Sequence, residues 1–214
     1  MTGADGVTGA DAATEPAPPV ETVRAVVGAA RTAGPRCGET TVVAIDGPAG
    51  SGKTTLAAAV VADLQAGGAA VTTVHMDDLY LGWSGLRDSA NRLRKEILAR
   101  LWLGRVGRYR RYDWHLEELA EEHEVPTDGY LVVEGVGCVR AVTRAFLSVI
   151  VWVEAADDVR LARGLVRDGA GAEPYWRQWM TEEAELFAES GAREVADLHV
   201  DAFGRLRTQC RGGT

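Results

Sequence analysis

A glycine-rich segment between two apolar runs constrains this chain more than any other part of its sequence. Residues 47–54 read GPAGSGKT, which matches the pattern G-x-x-x-x-G-K-[ST] at every fixed position. Gly47, Gly50 and Gly52 carry no Cβ, so the backbone can curl with its N–H groups pointing at an anion. Such a segment can also be no more than a turn, but a β-branched run precedes it and a helical pattern follows it. We therefore predict a phosphate-binding loop (P-loop) between a strand and a helix.

The ligand that suits such a loop is a nucleoside triphosphate. Lys53 would contact the β- and γ-phosphates, and the Thr54 hydroxyl would bind Mg²⁺. We accordingly expect ATP and Mg²⁺ as cofactors. The predicted nucleotide-binding residues are Gly47, Pro48, Ala49, Gly50, Ser51, Gly52, Lys53, Thr54 and Thr55.

Length and charge narrow the remaining classes of protein. A chain of 214 residues suits one sizeable domain, which we place at residues 20–207, between tails at 1–19 and 208–214 that we expect to be disordered. The net charge of −8 argues against nucleic acid as a partner. No apolar run is long enough for a membrane span, and no secretion signal is evident, so we expect a cytoplasmic protein with no membrane partner. We leave open whether it forms a homo-oligomer.

Apolar runs at regular intervals predict an α/β fold with a parallel sheet. Two strands joined through a helix form a right-handed βαβ unit. We predict the P-loop NTPase fold, with about five parallel strands, helices on both faces of the sheet and a small helical lid. The predicted strands are 41–45, 71–75, 129–135, 148–153 and 195–200.

Carboxylates follow two of these strands. Asp77 and Asp78 come directly after the second strand, and Glu134 lies at the end of the third. In open parallel sheets, ligands bind beyond the carboxyl ends of the strands, which is also where the P-loop lies. Adjacent carboxylates can serve only as a turn or a helix cap, but this placement favours a catalytic role for one of the pair. It also makes Glu134 a candidate Mg²⁺ ligand.

The segment from Arg92 to Arg111 is strongly basic. It contains eight basic residues and a single acid, Glu96. One interpretation is a solvated surface balanced by the acidic residues of 117–124. The other is a cationic wall for a phosphorylated substrate.

A later helix, with Asp157 as its predicted N-cap, carries three more arginines on one face. Spacings of three and four place Arg160, Arg163 and Arg167 together. Such a face is often merely exposed, but a mobile arginine helix also covers the triphosphate in many phosphotransferases. In the next helix the aromatic stripe that includes Trp176 and Trp179 is predicted to belong to the core.

Several short motifs occur in a characteristic order between residues 41 and 200. They are the P-loop, Asp77-Asp78-Leu79-Tyr80, Tyr112-Asp113-Trp114, Val132-Val133-Glu134-Gly135, the helix residues Asp158, Arg160, Leu161, Arg163, Arg167 and Asp168, and the pair Gln178-Trp179. In this order they resemble the uridine kinase and phosphoribulokinase group of P-loop kinases, and most closely uridine/cytidine kinase. The resemblance implies a kinase that moves the γ-phosphoryl of ATP to a small-molecule hydroxyl, with the 5′-hydroxyl of a nucleoside as the leading acceptor.

The resemblance also implies roles for individual residues. Asp77 would be the base that deprotonates the acceptor hydroxyl and would touch Mg²⁺, with Glu134 as a second Mg²⁺ ligand. Arg163 and Arg167 would close over the phosphates, alongside Lys53. The implied acceptor-binding residues are Asp77, Tyr80, Tyr112, Asp113 and Gln178.

Two departures from the family pattern bear on the acceptor. Glu117 stands where the family has a histidine, with His115 nearby, and residues 169–172 replace an arginine-rich lid run. A sugar phosphate, pantothenate or a specialised metabolite therefore stays open as an alternative acceptor. A nucleotide-hydrolysing switch or an inactive nucleotide-binding module also stays open, although the guanine-reading Asn/Thr-Lys-x-Asp element is missing from the sequence.

Overall fold

The computed structural model of the chain describes residues 17–207. Most of the predicted N-terminal tail (1–16) and the whole C-terminal tail (208–214) lie outside the described residues. The helices are α1 (Val20–Ala33), α2 (Lys53–Ala66), α3 (Leu86–Arg92), α4 (Ala99–Trp102), α5 (Asp157–Asp168) and α6 (Glu173–Ser190). The strands are β1 (Glu39–Asp46), β2 (Val71–His75), β3 (Gly107–Asp113), β4 (Glu118–Val125), β5 (Asp128–Glu134), β6 (Val149–Val153) and β7 (Leu198–Val200).

Five of the strands form one parallel sheet in the order β2-β5-β1-β6-β7. The predicted α/β fold with a five-stranded parallel sheet is thus confirmed. The last strand is shorter than the predicted 195–200, because Val195 belongs to a turn and pairing begins only at Leu198. In register, His75 and Ile45 both lie opposite Glu134, so the carboxyl ends of β2, β5 and β1 meet at one edge.

Helices cover both faces of this sheet. Successive side chains of a strand point to opposite faces, and along β1 Val43 and Ile45 join the cluster of α1 and α2, whereas Val42 and Ala44 join the opposite cluster. Burial on both sides explains why the strands read as continuous apolar runs. Among residues 17–207, no helix combines the length and apolarity that crossing a bilayer requires.

The segment after β2 begins with a short 3₁₀ turn, Met76–Asp78, and continues into one long helical stretch from α3 to α4. The predicted amphipathic helix ending near Gly104 is therefore present, but its middle, Leu93–Leu98, is π-helical. Leu86, Leu93 and Ile97 are fully buried in this stretch. A π-helical turn widens the helix locally.

Strands β3 and β4 form an antiparallel hairpin of their own, which the sequence analysis did not predict. Its register brings the basic and acidic segments together as ion pairs, among them Arg108 to Glu124 at 2.6 Å and Arg111 to Glu121 at 2.7 Å. The hairpin therefore supports the interpretation of this basic segment as a surface balanced by acidic residues.

Arg92 of the same segment has a structural role. Its side chain is mostly buried, pairs with Glu96 at 2.9 Å, and donates to the carbonyls of Leu79 (2.9 Å) and Arg110 (3.1 Å). These bonds join the end of α3 to the segment after β2 and to the hairpin. The Arg92 cation is thus used inside the protein.

A buried carboxylate at the end of β1 ties the P-loop to the segment after β5. Asp46 is fully buried, and its carboxylate accepts the N–H groups of Gly47 (2.7 Å), Gly137 (2.8 Å) and Val139 (2.8 Å). Loss of hydration raises the pKa of Asp46 to about 6, although the three N–H donors and the charge of Lys53 act in the opposite direction. The sequence analysis did not single out this residue.

Asp46→Asn is expected to destabilise the protein at neutral pH. The amide that replaces one carboxylate oxygen cannot accept an N–H, so at least one buried donor is left unsatisfied, which costs about 1–3 kcal/mol. Urea unfolding followed by circular dichroism measures the free energy of unfolding. The control is Asp128→Asn on the exposed start of β5, which should change that free energy by less than about 0.5 kcal/mol. Equal urea midpoints for Asp46→Asn and wild type would contradict the assigned role.

Candidate active site

The P-loop connects β1 to α2 in the conformation that its glycines allow. Gly47 has φ +143°, and a Cβ there would lie 2.0 Å from the carbonyl oxygen of Val153 on β6. Gly50 has φ +75°, and its Cβ would lie 2.8 Å from the carbonyl oxygen of Arg160 on α5. Only glycine fits both positions. The loop leads directly into α2, a helix of 14 residues whose N-terminus favours anions.

Lys53 and Thr54 follow the last glycine of the loop. The Lys53 side chain is directed towards the loop and the Thr54 side chain towards the sheet edge. Lys53 is mostly buried, and its ammonium donates to the carbonyl of Pro48 at 2.9 Å, within the loop itself. The Thr54 hydroxyl donates to a carboxylate oxygen of Glu134 at 3.2 Å. The P-loop cation and the strand-end carboxylate predicted from the sequence are therefore brought to one place.

Asp77 lies in the 3₁₀ turn directly after β2, next to the end of β5. Its side chain is exposed at the cavity, but the surrounding protein still removes part of its hydration. This loss of hydration raises its pKa above the ordinary value, and the charge of Glu134 raises it further. Lys53, Arg167 and His75 act in the opposite direction. A carboxylate with a raised pKa suits a general base.

Glu134 is held in place by His75, the last residue of the neighbouring strand. The imidazole Nδ1 lies 2.6 Å from the carboxylate, and this hydrogen bond is the main reason why the pKa of His75 is raised. Within residues 17–207 no three side chains of His, Cys, Asp or Glu converge on one point. The oxygen donors of Thr54, Asp77 and Glu134 nevertheless fit Mg²⁺, which prefers oxygen and keeps several waters and phosphate oxygens as its other ligands.

The arginines of α5 face the P-loop and the cavity. Arg163 donates to the carbonyls of Gly50 (3.1 Å) and Ala202 (2.9 Å), so it joins the loop to the segment after β7. Arg167 forms two hydrogen bonds to Asp168, at 2.7 and 2.9 Å, and lies 5.7 Å from the centre of the Trp176 ring. Both predicted arginines line the cavity.

Arg160 and Glu183 both bind the main chain of the P-loop. The sequence analysis did not identify Glu183. The guanidinium of Arg160 donates to Glu183 of α6 at 2.5 Å and to the carbonyl of Ala49 at 3.0 Å, while Glu183 accepts the Ala49 N–H at 2.8 Å. Arg160 and Glu183 are almost completely buried. Arg160 also pairs with Asp157 at 2.6 Å, and Asp157 is the first residue of α5; the N-cap is Ala156, so the predicted N-cap was wrong by one position.

A cavity of about 990 Å³ runs along these residues. The P-loop, Asp77, Glu134, Arg163 and Arg167 line part of it. Its other lining residues include five tyrosine and tryptophan side chains, which come from the segment after β2, from the hairpin tip and from α6. The cavity therefore joins the predicted phosphate-binding and catalytic residues to a separate region that is suited to an acceptor.

Of the residues predicted to bind the acceptor, Asp77 and Tyr80 line the cavity, and the other three are outside its lining. Tyr112 packs against Trp114, with ring centres 5.5 Å apart. Gln178 is exposed on α6 and donates to Glu182 at 2.9 Å. The nucleoside-reading roles implied for Tyr112 and Gln178 thus find no support in their positions.

Asp113 shapes the hairpin tip. Its carboxylate accepts the N–H groups of His115 (2.9 Å) and Leu116 (3.0 Å) and pairs with Arg111 at 3.0 Å. Glu117 takes a left-handed backbone conformation in this turn, with φ +54°, and is not part of the cavity lining, whereas His115 is. Glu117, at the position where the family has a histidine, is therefore part of a turn here. The same turn brings Trp114 and His115 to the cavity.

Four aromatic residues, here called the aromatic wall, line the cavity beyond Asp77. They are Tyr80, Trp83, Trp114 and Trp179. Ring centres of neighbouring members lie 5.1 to 5.7 Å apart in edge-to-face contacts. Trp179, predicted as core, is mostly buried but still reaches the cavity, as does Trp176. The helical spacing of an apolar stripe cannot separate a core position from a cavity wall, because both are shielded from solvent.

Glu183→Gln is expected to lower the free energy of unfolding by about 3–5 kcal/mol, since it leaves the buried Arg160 without its anionic partner. Denaturant unfolding without nucleotide is the measurement. Glu182→Gln is the matched control, because Glu182 is the preceding residue of α6 and its partner Gln178 is exposed. If both variants unfold at the same denaturant concentration as wild type, the Arg160–Glu183 pair does not stabilise the loop.

Comparisons with known proteins agree with this geometry at the level of the fold. No family model matches the sequence, and no curated protein matches it. Solved structures do match. A possible uridine kinase from Bacillus stearothermophilus is 18% identical with a TM-score of 0.61, over 84% of this chain and 97% of that one. A candidate fructose transport system kinase from a Silicibacter species is 19% identical with a TM-score of 0.57, over 78% and 95%.

The D-glycerate 3-kinase of Cryptococcus neoformans var. grubii is 12% identical with a TM-score of 0.54, over 88% of this chain and 96% of that one. The names of these three proteins refer to different substrates, so the fold is what they share. The chain therefore shares the α/β fold of these three kinase structures.

Proposed function

We propose that this protein is a kinase that transfers the γ-phosphoryl group of ATP to a hydroxyl group of a small molecule. The observation that carries the proposal is that one cavity joins the P-loop lysine, Lys53, to the strand-end carboxylate of Asp77. A nucleotide-hydrolysing protein needs the P-loop lysine, but it has no need of a large cavity beyond the carboxylate of Asp77. The shared fold of the kinase structures supports the same conclusion.

Phosphoryl transfer depends mainly on positioning and on stabilisation of charge. The amides of the P-loop and the N-terminus of α2 would hold the phosphates, and Lys53 would exchange its bond to Pro48 for phosphate oxygens. Arg167, next to the cavity, would exchange part of its pairing with Asp168 in the same way. When bound, Mg²⁺ would neutralise phosphate charge, held by Thr54 and Glu134.

Asp77 would orient the acceptor hydroxyl and accept its proton. The raised pKa of Asp77 makes its carboxylate a stronger base than an ordinary surface aspartate, and the charges of Lys53 and Arg167 act against that rise. The main chain of Asp77 is fixed as well, since the indole N–H of Trp114 donates to its carbonyl at 3.1 Å.

Of the acceptors considered from the sequence, a nucleoside and a phosphorylated sugar receive unequal support, and pantothenate or a specialised metabolite stays open. For a phosphorylated sugar, the predicted cationic wall is missing from the cavity lining, because the arginines of the hairpin are paired with carboxylates on its surface. A nucleoside keeps Tyr80 and Asp77 but loses the other predicted contacts. We therefore define the acceptor in this proposal as an unphosphorylated alcohol.

Asp77→Asn is expected to lower kcat by about 10²–10⁴-fold, the usual contribution of a positioned base. ATP affinity should stay within a few-fold, because the base acts mainly in the transition state. The measurement is acceptor-dependent ADP release at saturating ATP. Asp78→Asn is the control, since Asp78 accepts a hydrogen bond from Tyr109 at 3.2 Å and is not part of the cavity lining. A larger loss of kcat for Asp78→Asn than for Asp77→Asn would show that Asp78, and not Asp77, is the base.

Lys53→Ala is expected to lower the same rate by about 10²–10³-fold, because it removes a preorganised cation from the migrating phosphoryl group. A variant that keeps most of its acceptor-dependent ADP release would show that the loop is not catalytic. ADP release that ignores every added acceptor in wild type would instead favour a hydrolase.

A further inference from the structure

Two members of the aromatic wall, Tyr80 and Trp114, present only carbon to the cavity. Both have already used their polar atoms within the protein: the Tyr80 hydroxyl donates to the carbonyl of Val136 at 2.8 Å, and the Trp114 indole N–H donates to Asp77. Tyr80 is 1% exposed, so its hydroxyl cannot turn to a ligand without leaving a buried donor unpaired. The recognition that these two rings offer is apolar contact.

The wall is continuous. Trp83 contacts both Trp114 and Trp179 edge to face, at 5.5 and 5.7 Å between ring centres, and stacks on Tyr175 at 5.6 Å. At these separations the rings touch one another, so nothing can be held between them as a cation is held in an aromatic box. A ligand must lie along the surface of the wall, and a flat apolar body covers such a surface best.

Most of the charged residues of the cavity lining come from elements other than the wall. Apart from Asp77 and His115, they belong to α2, the end of β5 and α5: Lys53, Glu134, Arg163, Arg167 and Asp168. The arginines of the hairpin, Arg108 and Arg111, are outside the lining and are paired with Glu124 and Glu121. A phosphate on the acceptor could bind these two arginines only if they gave up their carboxylate partners.

The wall and the catalytic carboxylate are adjacent. Trp114 contacts the main chain of Asp77, and Tyr80 lies three residues after Asp77 in the sequence. A molecule lying along the wall therefore ends at Asp77. We propose that the acceptor is an uncharged alcohol with a flat, apolar aromatic body that lacks the carbonyl and N–H groups of a nucleobase, and that this body rests on Trp83 and Trp114 and directs the hydroxyl to Asp77. This inference rests on the proposed kinase function and narrows its substrate class.

The reaction then balances without any further reactant. The hydroxyl oxygen forms a bond to the γ-phosphorus, and the bond from that phosphorus to the β–γ bridging oxygen breaks. ADP leaves with the electron pair of the broken bond, and Asp77 takes the proton of the hydroxyl. The product is the phosphate monoester of the aromatic alcohol.

The test measures binding first, in the presence of Mg²⁺ and a non-hydrolysable ATP analogue, by isothermal titration calorimetry. The probes are tryptophol, uridine and ribose 5-phosphate. Tryptophol should bind at least about tenfold more tightly than either of the others. Ribose 5-phosphate has no aromatic ring and the ring of uridine is polar, and one aromatic contact typically changes affinity by about this factor. Trp83→Ala should weaken tryptophol binding by about tenfold and leave the affinity for the ATP analogue within twofold.

Trp102→Ala is the matched control, because Trp102 is also exposed, at 57% against 42% for Trp83, but lies on α4 and packs against Phe146. It should leave tryptophol binding unchanged. Tighter binding of uridine or ribose 5-phosphate, no detectable tryptophol binding, or equal effects of the two tryptophan variants would each overturn the inference.

The second measurement is ADP release with the same probes, and it separates the inference from the proposed function. Stimulation by tryptophol that is lost in Asp77→Asn supports both. Stimulation by uridine or ribose 5-phosphate alone would overturn the aromatic acceptor and keep the kinase. Trp83-dependent binding of tryptophol without ADP release from any probe would keep the aromatic binding site and count against the kinase.

Discussion

Two buried carboxylates hold the phosphate-binding loop, and the rest of the site depends on them. Asp46 accepts the N–H of Gly47 from one side of the loop, and Glu183 accepts the N–H of Ala49 from the other. A loop shaped to surround an anion has main-chain donors that need partners before the anion arrives. Protein carboxylates supply partners for two of these donors, so the loop does not have to be ordered by its ligand.

The same two carboxylates connect distant parts of the chain. Asp46 also binds the segment after β5, which carries Val136 and thereby the hydroxyl of Tyr80, while Glu183 brings α6 and Arg160 of α5 to the loop. The P-loop end and the aromatic end of the cavity are thus fixed to one framework. For the proposed kinase reaction such a framework is important, because transfer rates depend steeply on the geometry of the reacting groups.

Local patterns in the sequence sufficed for the sheet and for the charged half of the site. The P-loop motif fixed the place of Lys53, and the rule that ligands bind at the carboxyl ends of parallel strands placed Asp77 and Glu134 at its side. Glu183 could not be found in this way, since it lies in a run of similar glutamates and only its burial distinguishes it. The hairpin was missed because its strands are rich in charged residues, and because the alternation of buried and exposed residues covers only the first four residues of β3 and is missing from β4.

The hairpin of β3 and β4 pairs only within itself in the part of the chain that the structure describes, and the central sheet makes no ladder with it. Its tip nevertheless supplies Trp114 and His115 to the cavity. Substitutions or changes of length at this tip can therefore alter the cavity while the parallel sheet, the P-loop and their register stay as they are. The sequence of the hairpin tip is therefore not constrained by the strand pairing of the central sheet, although it forms part of the cavity lining.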